Sequence, residues 1–313
     1  MGPVLLVADP GGHLALLSWL APQWAVNDRV WVTVASPEVG ERLRGETVHL
    51  GVGPTARRPT ALLRNLRHAR RILKRVRPRA VLTTGAALGV PFVLAARARG
   101  VRSVFVEVVD RVDGPSLSGR LMAPWVDTVA VQRSEQRRHY PGAVVVGEIR
   151  PASAGLAARD RMGVYVSVGT HPRPMHRLVA LAETLAARGH HVRLQHGASR
   201  PGRGCENVAV AAPREHRAAM QRARWLVLQG GSSALAEARA LGRSPMVVPR
   251  DPRYGEHVDD HQLRYGRAHG LAVAPDEVLR RISAGWEEPA TLPGPASRQA
   301  AASVRRLVDP TPR

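Results

Sequence analysis

The sequence predicts an α/β protein made of two nucleotide-type halves, and three observations predict it. Val4–Ala8 (VLLVA) is an apolar run of buried-strand type that gives way to Asp9-Pro10-Gly11-Gly12-His13 and then to a helix through about Leu20. Gly163–Val168 is a second such run, followed by Gly169-Thr170-His171 and a helix from about Pro174 to Arg188. Trp225–Leu228 is a third; it stops at Gly230-Gly231, is followed by the helix-forming Ala234–Leu241, and leads through Gly242 to the strand-type Pro245–Pro249 (PMVVP). A strand that feeds a glycine turn and a helix presents free backbone N–H groups, which suit an anion and most often a diphosphate. At 313 residues the chain suits two domains of about 150 residues each.

Composition narrows the class. Lys and Arg number 46 against 25 Asp and Glu, a formal net charge of +21. Abundant Ala, Gly and Pro make base composition one source of the arginines, and solvated faces account for them as readily as a partner does. A basic surface also fits anionic lipid or nucleic acid. Only 4% of residues are aromatic, which argues against stacking platforms for single strands, and no DNA-binding motif is present, so no nucleic acid is expected. Cys205 is the only cysteine, which excludes a disulfide framework and a thiolate zinc site. No run reaches the ~20 apolar residues of a membrane span, and no basic segment precedes an apolar one at the N-terminus. A soluble intracellular protein is the simplest expectation.

In the first half, expected over residues 1–150, Val30–Ala35 and Thr47–Leu50 read as strands. Pro59–Val76 reads as a helix with Leu62, Leu66, Ala69, Leu73 and Val76 on one face and Arg64, Arg67, Arg71, Lys74 and Arg75 on the other. No acid lies between Thr47 and Gly100, so this helix either faces solvent or lies against anionic headgroups, where each cation is worth about 1 kcal/mol. Ala80–Thr84 is a strand, Gly85 a turn, Val90–Arg99 a helix, Ser103–Val109 a strand containing Glu107, and Ala143–Val146 the last strand. G-x-G-x-x-G is absent, so Gly11-Gly12 is either a tight turn or a phosphate turn, and His13 either a helix cap or a functional group. Pro151–Arg161 is small, polar and broken by Pro and Gly, which makes 151–162 a linker. The second domain is expected over 163–290, with strands at His190–His196 and Asn207–Val210 and helices at Arg214–Gln221, Leu263–His269 and Asp276–Ile282. A Pro-rich turn follows at Pro289–Pro295. The tail, 291–313, holds a weak helix at Ser297–Leu307, expected to pack across the domain junction.

Val227–Gln262 carries the most specific pattern. Gly230-Gly231-Ser232-Ser233-Ala234 is followed by Glu237 about one turn into the helix, by Gly242-Arg243-Ser244-Pro245, and by Gly255–Gln262 (GEHVDDHQ). This order resembles the donor-binding half of the inverting GT-B glycosyltransferases, whose members include the lipid II synthase. It is most similar to the catalytic subunit of the two-part transferase that makes polyprenol- or dolichol-linked GlcNAc. Gln229 stands where that family has a His, and Ser233 where it has the second glycine of the turn. Arg111 with Ser116–Leu121, the strand end Val106-Glu107-Val108, Pro124–Asp127 and Val131-Gln132 are similar to the acceptor-side, membrane-recruiting subunit of the same enzyme. The chain thus resembles a fusion of the two.

The resemblance implies an α/β protein of GT-B type, two Rossmann-like domains facing a cleft. It implies a UDP-sugar held by Gly169, Thr170, Gly230, Gly231, Ser232, Ser233, Glu237 (on the ribose), Asp260, His261 and Gln262. Gly11 and Gly12 would form an acceptor or diphosphate loop, and His13 would be the general base; Glu107 is either a structural anchor or an alternative base. Helix starts at Thr170 and Ser232 would steady the leaving diphosphate, so no metal and no cofactor beyond the UDP-sugar co-substrate are expected. Asp259-Asp260 reads as hydroxyl-binding rather than metal-binding. The other implied partners are a lipid-linked acceptor and, through helix 59–76, an anionic membrane surface, with the protein peripheral on the cytoplasmic face of the plasma membrane. Two rivals stay open: a UDP-sugar 2-epimerase of the same fold, and a non-enzymatic basic nucleic-acid-binding α/β protein.

Overall fold

The computed structural model describes residues 2–53, 55, 59–151, 161–268, 270–289 and 298–310. The chain divides into two compact units, one formed by Met1–Arg150 with Ser297–Arg313 and the other by Pro151–Ala296. The linker at 152–160 and the Pro-rich segment at 290–297 lie outside the described residues.

In the first unit the chain runs β1 (Val4–Val7), α1 (Gly12–Leu20), β2 (Arg29–Thr33), α2 (Val39–Arg42), β3 (Val48–Leu50), α3 (Pro59–Val76), β4 (Ala80–Thr83) and α4 (Ala86–Arg97). It continues through β5 (Arg102–Val106), α5 (Leu117–Met122), β6 (Thr128–Val131) and β7 (Val144–Val145). The seven strands form one parallel sheet in the order β3-β2-β1-β4-β5-β6-β7, with Val4 beside both Arg29 and Ala80. β1 is a continuous apolar run and β4 an apolar run closed by Thr83, with every residue of both buried, as strands covered on both faces must be. Leu5, Val7, Val81, Ala69, Leu73 and Phe92 fill one side of this sheet, while Val4, Leu6 and Leu82 pack with Leu14, Leu17 and Trp24 on the other.

The second unit runs β8 (Val164–Ser167), α6 (His176–Ala187), β9 (Val192–Gln195), β10 (Glu206–Val208), α7 (Pro213–Arg222), β11 (Trp225–Leu228), α8 (Ser232–Ala240), β12 (Met246–Val247), α9 (His261–Ala268) and α10 (Pro275–Ser283). Its parallel sheet has the order β10-β9-β8-β11-β12. Both sheets reverse their winding between neighbouring strands, β1 and β4 in one and β8 and β11 in the other. The carboxyl ends of such strand pairs form the crevice in which open α/β sheets take ligands.

Three expectations change. The last helix, α11 (Arg298–Val308), belongs to the first unit: Ala300, Ala301, Val304 and Val308 are buried against Leu14, Leu17 and Trp24. It is tied there by polar contacts as well. Asp309 accepts from Trp24 Nε1 at 2.7 Å and from Arg79 Nε at 2.7 Å, and the Leu307 carbonyl accepts from Arg102 Nε at 2.7 Å. In α3 the buried stripe runs through Ala61, Asn65, Ala69, Ile72 and Leu73, so Leu62 is 37% exposed and Leu63 59% exposed. Asn65 sets that register, because its amide donates to the Val52 carbonyl and accepts from the Val52 N–H, both at 2.8 Å. α4 begins four residues earlier than its apolar run suggests, opened by Gly85 at φ 105°.

Candidate functional site

The first unit brings His13, Thr84 and Gly85 together at the β1–β4 switch point. Gly11 precedes α1 at φ 89°, a conformation that suits glycine, and no side chain caps the helix start. Its N–H is instead held by the Glu38 carboxylate. His13 is clamped from two directions: Thr84 Oγ1 donates to the His13 carbonyl at 2.9 Å, and His13 Nδ1 lies 2.8 Å from the Thr84 carbonyl oxygen. A carbonyl can only accept, so Nδ1 carries the proton and Nε2 of the neutral ring is left with its lone pair. That tautomer is the one a general base on the outer nitrogen requires. Asp9, at the end of β1, accepts from the Leu88 N–H at 2.9 Å and the Thr55 hydroxyl at 2.8 Å. Burial pushes its carboxyl above the ordinary range despite those bonds and the nearby His13.

Glu107 has a different place. It is fully buried and accepts from the Val108 N–H at 3.0 Å, the Ser116 N–H at 3.0 Å and the Tyr140 hydroxyl. A carboxylate so surrounded pins the loop after β5 onto α5, which fits the anchor reading. Burial and the Glu107 charge in turn push the Tyr140 hydroxyl far above its usual range. Gly119 lies against this cluster so closely that any Cβ there would collide with the Tyr140 hydroxyl.

In the second unit, Gly230 and Gly231 end β11 and α8 starts at Ser232, with Gly231 as its N-cap and no side-chain cap. The first backbone N–H groups of α8 therefore point away from the helix uncapped, beside the turn that follows β8. Gly169, at φ 74°, forms that second turn, and a Cβ on it would meet the Gln229 amide at 2.7 Å. Gln229 thus fills the space between the two turns, and its Oε1 is buried with no partner. Glu237 lies half-buried in α8.

Thr170 is not the helix start that the sequence suggests. α6 begins at His176 with Met175 as its N-cap, and the Met175 N–H is taken by Ser199 Oγ at 2.8 Å, so Thr170 sits in the preceding loop. The final segment also divides. Gln262 is buried and its Oε1 accepts from the Arg250 N–H at 3.2 Å, while its Cβ packs 3.2 Å from where a Gly230 side chain would start. Asp260 is half-exposed and paired with Arg264 at 3.1 Å. His261 is bonded to Asp259, the first acid of the Asp259-Asp260 pair.

Arg250 escapes sequence reasoning, and Glu256 appears there only as a letter of GEHVDDHQ; both are buried and hold these loops. The Arg250 guanidinium, fully buried, donates to the carbonyls of Arg173 at 2.8 Å, Glu256 at 2.9 Å and Val168 at 2.7 Å. Burial pushes it down to about 10, with Glu256 opposing, so it stays charged at neutral pH. Glu256 pairs with Arg177 at 2.6 Å and accepts from the Asp251 N–H at 3.0 Å. The signal that pairs them is an acid six residues after an arginine near a strand end, which is too weak to predict their contacts. Arg243, of the G-R-S-P stretch, is likewise structural: it is fully buried and bonded to Glu288 at 3.0 and 2.8 Å.

Comparison with known proteins agrees with this architecture. A family model described as oligosaccharide biosynthesis protein Alg14 like matches residues 54–149. A UDP-N-acetylglucosamine–N-acetylmuramyl-(pentapeptide) pyrophosphoryl-undecaprenol N-acetylglucosamine transferase from Desulforudis audaxviator is 27% identical over 271 residues, 74% of this chain and 71% of the relative. Among solved structures, MurG of Acinetobacter baumannii superposes with a TM-score of 0.56 at 16% identity, covering 90% of this chain and 89% of that one. The UDP-GlcNAc 2-epimerase of Neisseria meningitidis, solved with UDP-GlcNAc, gives a TM-score of 0.70 at 8% identity, covering 98% and 99%. The chain therefore has the GT-B fold, two parallel-sheet α/β units of the kind these transferases and epimerases share, and is related in sequence to the undecaprenol-linked N-acetylglucosamine transferases.

Proposed function

We propose that the chain is a UDP-sugar-dependent glycosyltransferase acting on a lipid-diphosphate-linked saccharide. The sugar it moves is N-acetylglucosamine or a related hexose or uronate, it inverts the anomeric carbon, and the transfer step uses no metal. The observation that carries this reading is the uncapped start of α8 directly after β11, at the switch point, with Glu237 in the same helix. A helix N-terminus takes a diphosphate, and a carboxylate farther along the helix takes the vicinal hydroxyls of a ribose. The epimerase rival shares the fold, so fold alone does not separate the two. Relatedness in sequence to transferases and the Alg14-like match in the first unit favour transfer.

In this mechanism an acceptor hydroxyl oxygen attacks the anomeric carbon as the bond from that carbon to the diphosphate oxygen breaks. His13 Nε2 takes the hydroxyl proton, a contribution of about 10²–10⁴-fold. UDP leaves with its charge spread over the diphosphate, stabilised by the α8 N–H groups. The acceptor side corresponds to the Alg14-like first unit and the two subunit-like halves to one polypeptide. A peripheral position on an anionic cytoplasmic leaflet is part of the proposal. Arg64, Arg67, Arg71, Lys74 and Arg75 are all exposed on α3, beside exposed Leu62 and Leu63, and no helix among the described residues is long and apolar enough to cross a membrane.

The test is incubation with UDP-GlcNAc with and without an undecaprenyl-diphosphate-linked sugar. Release of UDP and a lengthened lipid-linked product only when acceptor is present is the expected result. Conversion of UDP-GlcNAc to its 2-epimer without acceptor would establish the epimerase. A calorimetric titration that finds no heat with any uridine nucleotide, together with a salt-dependent gel shift, would establish the nucleic-acid binder instead.

A further inference from the structure

Asp259 lies between two imidazoles. Its Oδ1 is 3.2 Å from His257 Nδ1 and is hydrogen-bonded to His261 Nδ1, and one nitrogen or oxygen from each of the three residues lies within 4.8 Å of the others. Both histidines are only 9% exposed, while the Asp259 side chain is 36% exposed, so the cluster opens to solvent on the carboxylate side. The rings are held in place by packing. His257 is stacked at a tilt against His171 with centroids 4.6 Å apart, and edge-on against His261, also at 4.6 Å. The neighbouring acid is occupied elsewhere, since Asp260 pairs with Arg264. All three groups come from one H-x-D-x-H stretch, with His261 opening α9, so little chain has to be ordered to assemble them.

We propose that His257, Asp259 and His261 form a binding site for one divalent transition-metal ion of the Zn²⁺ class. Zinc–nitrogen and zinc–oxygen bonds of about 2.0–2.2 Å in a tetrahedron set neighbouring ligand atoms roughly 3.3–3.5 Å apart. The His257–Asp259 separation already has that size; the two imidazoles, within the 4.8 Å limit, have to close by about an ångström or so, and the His261–Asp259 hydrogen bond has to open by a similar amount, both within the reach of side-chain rotation. Two imidazoles and one carboxylate suit zinc, cobalt or nickel; magnesium and calcium prefer an all-oxygen shell. Three protein ligands leave a position open to water or a ligand on the solvent side. The inference goes beyond the transfer reaction and stands on the geometry of this segment alone. Where the proposed function also holds, a bound ion takes Asp259 and His261 from the sugar hydroxyls and competes with the donor.

The test uses the whole purified chain titrated with Co²⁺, the coloured stand-in for Zn²⁺. One equivalent should produce the intense visible bands of four- or five-coordinate cobalt, and Zn²⁺ should abolish them. His257→Ala and His261→Ala should each lose the bands or weaken binding by more than the ~10–100-fold typical of losing an outer-shell partner. Replacing the distant, adjacent His190 and His191 with alanine should leave them intact. A wild-type spectrum that keeps the pale six-coordinate form at excess Co²⁺ overturns the site, as do bands that persist in both single variants. The wild-type arm needs no variant to fold, and it reads metal binding whether or not the chain transfers a sugar.

Discussion

Replacing Arg250 with methionine removes the one guanidinium that ties three loop carbonyls of the second unit together. Those carbonyls, on Val168, Arg173 and Glu256, are each bonded at 2.7–2.9 Å by a side chain with no exposed surface. A buried acceptor left without a donor costs about 1–3 kcal/mol, or roughly 3–9 for three. Part of that is returned. A buried cation is no longer desolvated, and the Arg250 Nε, which has no partner, is gone. A net loss near ~3–5 kcal/mol remains, close to what breaking a buried charge network costs. For a unit of this size each kcal/mol moves Tm by about 2–4 °C, so the second unit's transition should fall by roughly 6–20 °C. Scanning calorimetry reads this, with the first unit's transition as an internal reference. Because the same three carbonyls fix the turn after β8 and the segment before Asp259, UDP binding by titration calorimetry should weaken in parallel. A second-unit transition within about 2 °C of wild type would refute the reasoning, since it would mean that the loops hold themselves.

Other outcomes follow from single contacts. His13→Ala should lower kcat by about 10²–10⁴-fold while leaving UDP affinity unchanged, read by steady-state kinetics beside calorimetry. Glu237→Ala should raise the UDP-sugar KM by roughly 10–150-fold, the equivalent of ~1.5–3 kcal/mol for a hydrogen bond to a charged group, and an unchanged KM would remove it from the ribose. Asp9→Asn tests a pH dependence. A carboxyl raised by burial binds its proton more readily in the folded state, so its destabilising effect is absent at low pH and grows as pH climbs from the unfolded-state value through the raised one. The variant should therefore raise Tm at about pH 8 and give no gain at about pH 3. Vesicles of anionic lipid should retain the chain at low salt, and reversing the exposed Arg67, Arg71 and Lys74 of α3 to glutamate should release it.

What the sequence discloses is local. The strand runs and glycine turns are legible because four apolar residues broken by Gly-Gly carry their own signal, and Gly11, Gly169 and Gly230-Gly231 all lie just past the ends of sheet strands. Roles fixed by distant partners are not legible. Asn65 overrides the apolar period of α3 because it has a backbone to satisfy at Val52. Arg250 and Gln229 stand in the site through contacts with loops up to 82 residues away in sequence. As a letter in the chain, Glu107 leaves both anchoring and chemistry open; the bonds from Val108, Ser116 and Tyr140 that fit an anchor come from residues up to 33 positions away. The motif assigns His261 to a sugar beside Asp260, whereas its tightest neighbour is Asp259, the acid one position earlier.

The return of α11 to the sheet of the first unit changes what can be cut. A fragment ending at Arg150 would expose the apolar strip around Leu14, Leu17 and Trp24 that Val304 and Val308 cover, and would leave Arg79 without Asp309. The complementary fragment would carry a helix with no sheet of its own to lie on. Two such pieces produced together have a built-in reason to find each other, which makes this chain a natural split-protein reporter whose halves are sewn by a borrowed end.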